Sequence, residues 1–376
     1  MPVLPLTAVF DDLPDPRRET RNKLHRLTDI LAIATCAVIA GAESWEAIAE
    51  YGRTKEAFFR RFLRLENGIP SPDTFERVFA KLAPGAFAQA FGRWMAAACE
   101  ATGLVPIAID GKSARAAKRN TATGCLHVVT AWAAESRLVL GTAAVPDGSN
   151  EVAAIPELLR TLDLAGAIVT IDAAGCQVEN ARIIRGQDGH YLLAVKDNQP
   201  TLRAAIEAVF DRACDDDFVG VRCDEHEAVE DGHGRHEERS VTVIYDPDGL
   251  PAAWPDVAAV VQVNRERGIG GKRAVTCQYY LTSHDGTAAE IGRWVRGHWD
   301  IENGLHWVLD VVFREDRSRI RAEHAGANLA MIRRVAVSLL RRAPGRGSGV
   351  TKRLKAGWDD DYLLQVLRGI AVDVVR

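Results

Sequence analysis

The sequence lacks the marks of an exported, zinc-stabilised or membrane-spanning protein. Its seven cysteines (Cys36, Cys99, Cys125, Cys176, Cys214, Cys223 and Cys277) contain no CxxC and no close pair, so neither a disulfide framework nor a zinc knuckle is expected. The amino-terminal "MPVLPLTAVFDDLPDPRRET" has no basic stretch leading into an apolar one, which excludes a secretion signal. Long hydrophobic runs are missing too. The most apolar, "ILAIATCAVIAGA" from Ile30 to Ala42, falls short of the ~20 residues a membrane span needs and reads as a buried helix. Nor is there an excess of positive charge: 47 Lys and Arg stand against 51 Asp and Glu, and the pI near 6.2 lies well below the ~9 common in simple polyanion-binding domains. No internal repeat or low-complexity tract occurs, and "RRAPGRGSGVTKR" from Arg341 is the one linker-like stretch.

What is present suffices for a large folded protein. A chain of 376 residues, 47% of them hydrophobic, fits two or three domains at ~150 residues each, or one large core with additions. The segment to about Gly103 is helical in pattern, with Ser44 placed to cap a helix and Asp73 and Glu76 resembling a capping box before "TFERVFAKL". From Leu104 the pattern changes: "LVPIAID", "CLHVVTAWAAE" and "RLVLGTAAV" read as an antiparallel meander, followed by alternating helices and strands. That order implies a mixed sheet with helices on its faces. "RSVTVIYD", "VAAVVQVNRE" and "AVTCQYYLTS" then suggest a β-rich insertion, after which a helix opens near Thr287. Charge is uneven. Between Arg314 and Lys355 twelve basic residues face three acidic ones, whereas Asp215 to Asp231 is acidic; such asymmetry permits a nucleic-acid face on an otherwise acidic protein.

Two aspartates stand out by position. Asp110 ends the first strand of the meander and Asp172 ends the strand after the first helix of the alternating part; in open α/β sheets functional groups gather beyond the carboxyl ends of strands. On neighbouring strands the two carboxylates would repel unless a divalent cation lay between them. The third acid comes from "RGHWDIENGLHWVLDVVFREDRSRIR", read as one helix with Glu302 on its buried stripe among Trp299, Leu305, His306 and Leu309. Carboxylates without cysteine point to Mg²⁺ or Mn²⁺ rather than zinc, and such a site suits phosphoryl transfer with two metal ions. Taken singly, Asp110 in "DG" is more often a turn former than a metal ligand, and Asp172 in "DAAG" reads equally as a turn. Together, in this strand order, the three favour a metal-binding triad. Asp310, Glu315 and Asp316 read as ion-pair partners for nearby arginines, and His306 and Trp307 as packing residues.

These motifs resemble one family. "AIDGKSAR", "VTIDAAGCQ", "YLLAVKDNQ" and the Glu302 stretch are similar to the acid-bearing motifs of bacterial insertion-sequence DDE transposases associated with H repeats. "DPRRETRNKLHRLTDILAIATCAVIAGAESWEAIAEYG" with "GIPSPDTFERVF" resembles that family's accessory domain. The resemblance implies an α/β fold with a ribonuclease H-like mixed-sheet core at 104–214 and 284–340, interrupted by the insertion at 215–283, preceded by an all-α accessory domain at 1–103 and followed by the basic segment 341–376. It implies catalytic, metal-binding Asp110, Asp172 and Glu302, separated by 62 and 130 residues, and two Mg²⁺ ions for which Mn²⁺ substitutes. The Tyr, Arg, Glu and Lys spacing common in the broader group is met here by Val295, His298, Glu302 and Leu309, so only the acid matches. Candidate DNA contacts are Lys112, Arg115, Gln177, Lys196, Arg235, Arg296 and His298. Expected partners are double-stranded DNA, at element ends and target, and further copies of the chain in a dimer or larger synaptic assembly. The expected place is the bacterial cytoplasm, at the nucleoid when DNA is bound. The sequence leaves two other activities open: a catalytically inactive DNA-binding relic, and a metal-dependent nuclease that does not join strands.

Overall fold

Helix α2 (Leu27–Ala40) is apolar on every side, and each side chain from Leu27 to Ile39 is buried, as such a helix requires. It ends at Gly41, whose φ of +114° is a left-handed turn that glycine adopts without steric cost. In the computed structural model, which describes residues 5–20, 23–97, 104–114, 126–146, 148–232, 235–269 and 272–368, α2 is the centre of the first of two compact units, formed by residues 1–100, 111–150 and 302–376. Around it pack α1 (Pro5–Asp11), α3 (Trp45–Thr54), α12 (Ala325–Arg342) and α13 (Gly349–Trp358). No single described helix is long and apolar enough to cross a membrane.

The remaining amino-terminal helices are α4 (Glu56–Phe59), α5 (Pro72–Lys81) and α6 (Pro84–Ala97). Ser44 caps α3 as expected, accepting from the Ala47 amide. At α5 the cap is Ser71, whose hydroxyl accepts from the Thr74 amide at 3.3 Å, rather than the pair Asp73 and Glu76. Serine one residue before a proline that opens the helix leaves Asp73 in the first turn, where its charge favours the helix dipole. These helices do not form a body of their own: Asn328 of α12 donates to the carbonyls of Phe79 at 2.8 Å and Leu82 at 2.9 Å.

The same unit holds β2 (His127–Ala133) and β3 (Leu138–Ala144), antiparallel with a bulge between Ala131 and Trp132. α6 lies close on β3 because position 92 is glycine; a Cβ there would stand 2.5 Å from the Leu140 carbonyl oxygen. Arg334 of α12 is fully buried beneath this hairpin. Its guanidinium donates to Thr130 Oγ1 at 3.0 Å, the Ala330 carbonyl at 3.1 Å and Glu315 Oε1 at 2.9 Å.

The carboxy-terminal segment is not a free basic arm. α13 and α14 (Asp360–Arg368) are packed into the first unit. Arg353 is buried over the Phe313 ring at 4.0 Å and donates to the carbonyls of Val38 at 2.9 Å, Ile39 at 3.4 Å and Val312. Burial lowers its pKa to about 10, still charged at neutral pH. Lys352 donates to the carbonyls closing α12, Leu340 at 3.1 Å and Ala343 at 2.7 Å. Cations that satisfy helix-end carbonyls are consumed by the fold, so Lys352 and Arg353 are not free to meet phosphates.

The second unit, residues 101–110 and 151–301, contains α7 (Glu151–Thr161), β4 (Ala167–Ile171), α8 (Val178–Arg185), β5 (His190–Val195), α9 (Pro200–Asp215), β6 (Cys223–Gly232), β7 (Arg235–Tyr245), β8 (Ala259–Ile269), β9 (Lys272–Thr282) and α10 (Ala288–His298). Its strands lie in the order β1-β4-β5-β9-β8-β7-β6, where β1 (Val105–Ser113) runs past Asp110 and gives its last three residues to the first unit. β1, β4 and β5 are parallel, and β5 pairs antiparallel with β9. The β-rich insertion is thus continuous with the sheet of the acid-bearing strands. α10 opens with a capping box between Thr287 and Glu290 and lays Ile291, Trp294 and Val295 on Ile168, Val241, Val243 and Val261. Together the units make a mixed α/β fold with many helices.

The buried ion pair of the first unit carries a stability prediction. Arg334→Met leaves Glu315 charged and buried, and urea denaturation should show a loss of about 3–5 kcal/mol. Adding Glu315→Gln should recover part of that loss, because no charge is then left alone.

Candidate active site

The site begins with strand register. β1 and β4 pair in parallel with Ile109 opposite Ile171, so Asp110 and Asp172 are the next residues along two strands roughly 4.8 Å apart. Both are half-buried. The expected neighbourhood of the first two acids is therefore present within one unit.

The backbone after Asp172 is pinned in detail. Asp172 Oδ1 accepts from the Gly175 amide at 3.3 Å, closing a turn. The carbonyls of that turn are taken up by amide side chains: Asn198 donates to Ala173 at 2.6 Å, Asn180 to Gly175 at 2.8 Å and Gln199 to Cys176 at 2.9 Å. Glycine is required at 175, since a Cβ would lie 2.3 Å from Ile171 Cγ2 and 2.8 Å from Ile155 Cδ1. Cys176 beside this turn is fully buried, and burial, with a smaller contribution from the Asp172 charge, pushes its thiol up to about 12; it packs as a neutral group. The supporting Asn180, Asn198 and Gln199 were missed as site residues in the sequence. For Asn198 and Gln199 the one signal was "KDNQ" after β5, whose amide side chains reach a loop some 25 residues earlier.

His298 closes α10 and places Nδ1 2.9 Å from Thr170 Oγ1. Thr170 precedes Asp172 by two positions on β4 and so shares its face. Burial lowers the His298 pKa, and the Asp172 charge together with Thr170 opposes this only in part. The imidazole is thus a fixed, neutral neighbour of Asp172.

The stretch after His298 is not one helix. The chain turns at Trp299, forms a π turn at Glu302–His306, a short α11 at Trp307–Val311 and a 3-10 turn at Glu315–Arg317. Glu302 is exposed, not on a buried stripe. Leu305 and Leu309 are buried as expected, but Trp299 and Trp307 are 47% and 56% exposed, which corrects the packing role given to both. Trp307 directly follows a π turn, whose i to i+5 closure departs from the 3.6-residue repeat, and Trp299 stands at the turn that ends α10. Glu302 opens the first unit's last segment, whereas Asp110 and Asp172 belong to the second. Arg341 of α12 donates to the Gly304 carbonyl inside the π turn.

The remaining candidates are placed unevenly. Lys112 is buried, with Nζ 2.6 Å from Asp310 Oδ1 and 3.5 Å from Asp316 Oδ1. Lys112 is thus one partner of these acids, and Glu315 pairs with Arg334. Arg115 lies outside the described residues. Gln177 is the residue before α8 and donates to the Ala174 carbonyl at 3.5 Å. Lys196 is exposed just beyond β5. Arg235 opens β7 opposite Gly232 and Ile269. Arg296 is exposed and ion-paired with Glu230. In their chemistry Asp110 and Asp172 suit a hard divalent cation, having oxygen donors and register-matched positions. Among the described residues no group of three His, Cys, Asp or Glu gathers as a metal site.

Two outcomes test this geometry. His298 should titrate by NMR below the ordinary histidine midpoint of about 6.5, and Asp172→Asn should move it lower still, because the lost carboxylate was favouring the imidazolium. Gly175→Ala should lower thermal stability by about 1–3 kcal/mol through overpacking against Ile171 and Ile155.

Comparison with known proteins agrees with these motifs. Residues 7–95 match the DDE_Tnp_1-associated family and residues 101–339 the transposase DDE domain family. The chain is 37% identical over 366 residues to "H repeat-associated putative transposase YhhI" of Escherichia coli (strain K12), covering 95% of this chain and 96% of that protein. It is 43% identical over 283 residues to "Uncharacterized protein in dhlA 3'region" of Xanthobacter autotrophicus, covering 73% of this chain and 93% of the relative. Over 64 residues, 17% of this chain and 76% of the relative, it is 44% identical to "Inactive transposase YbfQ" of Escherichia coli (strain K12). With both stretches matched and a relative aligned along nearly its whole length, the chain belongs to the transposase DDE domain family.

Proposed function

We propose that the protein is a DNA transposase that cuts phosphodiester bonds at the ends of its element and joins the freed 3′ hydroxyls to target DNA. The observation carrying this reading is the register that sets Asp110 beside Asp172, with Glu302 assigned as the third acid. Two Mg²⁺ ions, or Mn²⁺, would supply activation of the attacking oxygen and stabilisation of the leaving one. The chain's own contribution is to hold the two carboxylates side by side, keep the Asp172 turn rigid and keep His298 neutral next to it. The strand orders β3-β2-β1 in one unit and β1-β4-β5 in the other support a ribonuclease H-like core. The substrate is double-stranded DNA at element ends and target, in a synaptic assembly of two or more copies, acting in the bacterial cytoplasm at the nucleoid. Of the candidate contacts, Lys196 is the cation offered to DNA near the site, being exposed past the end of β5; Arg296 would first have to leave Glu230.

The test incubates purified protein, Mg²⁺ and DNA from the flanks of its own gene, then resolves cleaved ends and joined products. Asp110→Asn and Asp172→Asn should each lower cleavage by roughly 10³ or more, about 4 kcal/mol of barrier, with unfolding temperature and DNA affinity near wild type. Glu302→Gln should behave alike. Normal cleavage by all three at saturating Mg²⁺ refutes the triad; cleaved ends without joined products would make the protein a nuclease.

A further inference from the structure

The β-rich insertion carries an arginine cluster whose charge the sheet does not balance. Strands β7 and β8 pair with Arg239 opposite Arg265 and Glu237 opposite Arg267, and all four side chains are half-buried. Like charges directly opposite on neighbouring strands repel, yet here three guanidinium groups share one carboxylate. Glu237 accepts from Arg239 and, at 2.6 Å, from Arg265. The Arg265 hydrogen bond, with the charges of Arg265, Arg239 and Arg267, holds its carboxyl below the ordinary glutamate range against the effect of burial. The Nε atoms of Arg265 and Arg267 are buried without a hydrogen-bond partner among the described residues. Glu230, opposite Glu237 on β6, is already ion-paired with Arg296. Unmet donors and surplus positive charge in a half-buried place suit an anion with more than one acceptor oxygen.

Strand parity decides which way the cluster faces. Ile168, Val241 and Val263 lie together under α10, so they share one face of the sheet. Counting by twos, that face carries Asp172 on β4, Arg239 and Glu237 on β7, and Arg265 and Arg267 on β8. The cluster also lies toward the same end of the sheet as Asp172: β5 stops at Val195 opposite Tyr279, Tyr279 is opposite Gln262, and β8 continues past it through Arg265 and Arg267. Strand spacing and rise put it on the order of 20 Å from Asp172, less than one turn of a duplex, about 34 Å.

We infer that Arg239, Arg265 and Arg267 form a subsite for a backbone phosphate of DNA, and that the Glu237 carboxylate stands in for that phosphate until duplex binds. In the free protein Glu237 keeps the guanidinium groups arranged, and its charge opposes the incoming phosphate. The contact would fix where the duplex lies relative to Asp172 without reading its sequence. The inference rests on the reading above that DNA is the substrate.

The experiment measures affinity of the full-length protein, in EDTA, for labelled duplex from its gene's flanks and for an unrelated duplex, across a range of salt. Unfolding temperature is read alongside. Arg267 has no hydrogen bond to Glu237, so Arg267→Gln is the substitution that disturbs the fold least. It should weaken both duplexes alike, about three- to tenfold at low salt, with a log-log salt slope shallower by ~0.9; Arg267→Lys should keep the slope. Glu237→Gln should bind at least about threefold tighter at low salt. Wild-type affinity and slope in Arg267→Gln and in the double variant Arg265→Gln, Arg267→Gln overturn the inference, as does Glu237→Gln binding no tighter than wild type. A loss confined to the flank duplex would mean base reading, and also overturns it. So does inorganic phosphate raising the unfolding temperature of wild type but not of the double variant, at matched ionic strength, while their duplex affinities stay equal, since the subsite would then serve a free anion. With Mg²⁺ restored, absence of cleaved and joined products while binding still depends on the arginines defeats the transposase reading and leaves the subsite. Cleavage together with binding indifferent to the arginines defeats the subsite alone.

Discussion

The parallel pairing of β1 with β4 is the constraint on which the proposed chemistry depends. A one-residue slip would turn every side chain of one strand to the opposite face, removing either Asp110 or Asp172 from its partner. The slip is opposed by burial on both strands: Ile107, Ala108 and Ile109 against Ile168, Val169 and Ile171, all at most 3% exposed. Apolar packing, a non-directional force, thus delivers two like charges to adjacent positions, where on their own they would repel. The turn after Asp172 converts this into a defined site, because amide side chains from α8 and from the β5–α9 connection hold its carbonyls.

A second theme is the use of buried cations as fasteners. Arg334, Arg353 and Lys112 are each taken out of water, and each meets carboxylates or carbonyls in compensation. A buried ion pair contributes little net stability compared with apolar packing, but it is costly to leave half made. Such pairs therefore specify position more than they stabilise. They occur at the end of β1, along the segment from Glu302 to Arg317, and at the carbonyl end of α2. In an otherwise apolar framework, these are the places where a segment would have several equivalent ways to pack.

Much of the framework was legible in the sequence. The all-apolar α2, the Ser44 cap, the alternation after Leu104 and the start at Thr287 are all local signals, fixed by side chains within a few residues of one another. Strand β6 was not legible. "CDEHEAVEDG" offers no apolar alternation, and it is a strand because it pairs along β7 at the edge of the sheet, where charged side chains suit the exposed face. The π turn at Glu302 was equally hidden, since a 3.6-residue repeat through Leu305 and Leu309 describes the buried side of both a straight helix and a broken one.

By itself the sequence determined most element types and the order in which they follow: these depend on backbone preferences and hydrophobic period, carried by short stretches. The tertiary structure decided which charges are available. A run of twelve basic residues against three acidic ones says nothing of whether an arginine faces solvent or lies under a hairpin, and Lys112 reads as a surface cation until its long-range partners are seen. Burial and pairing are properties of contacts between residues distant in the chain, and the number of ways to arrange such contacts is too large for local pattern to choose among them.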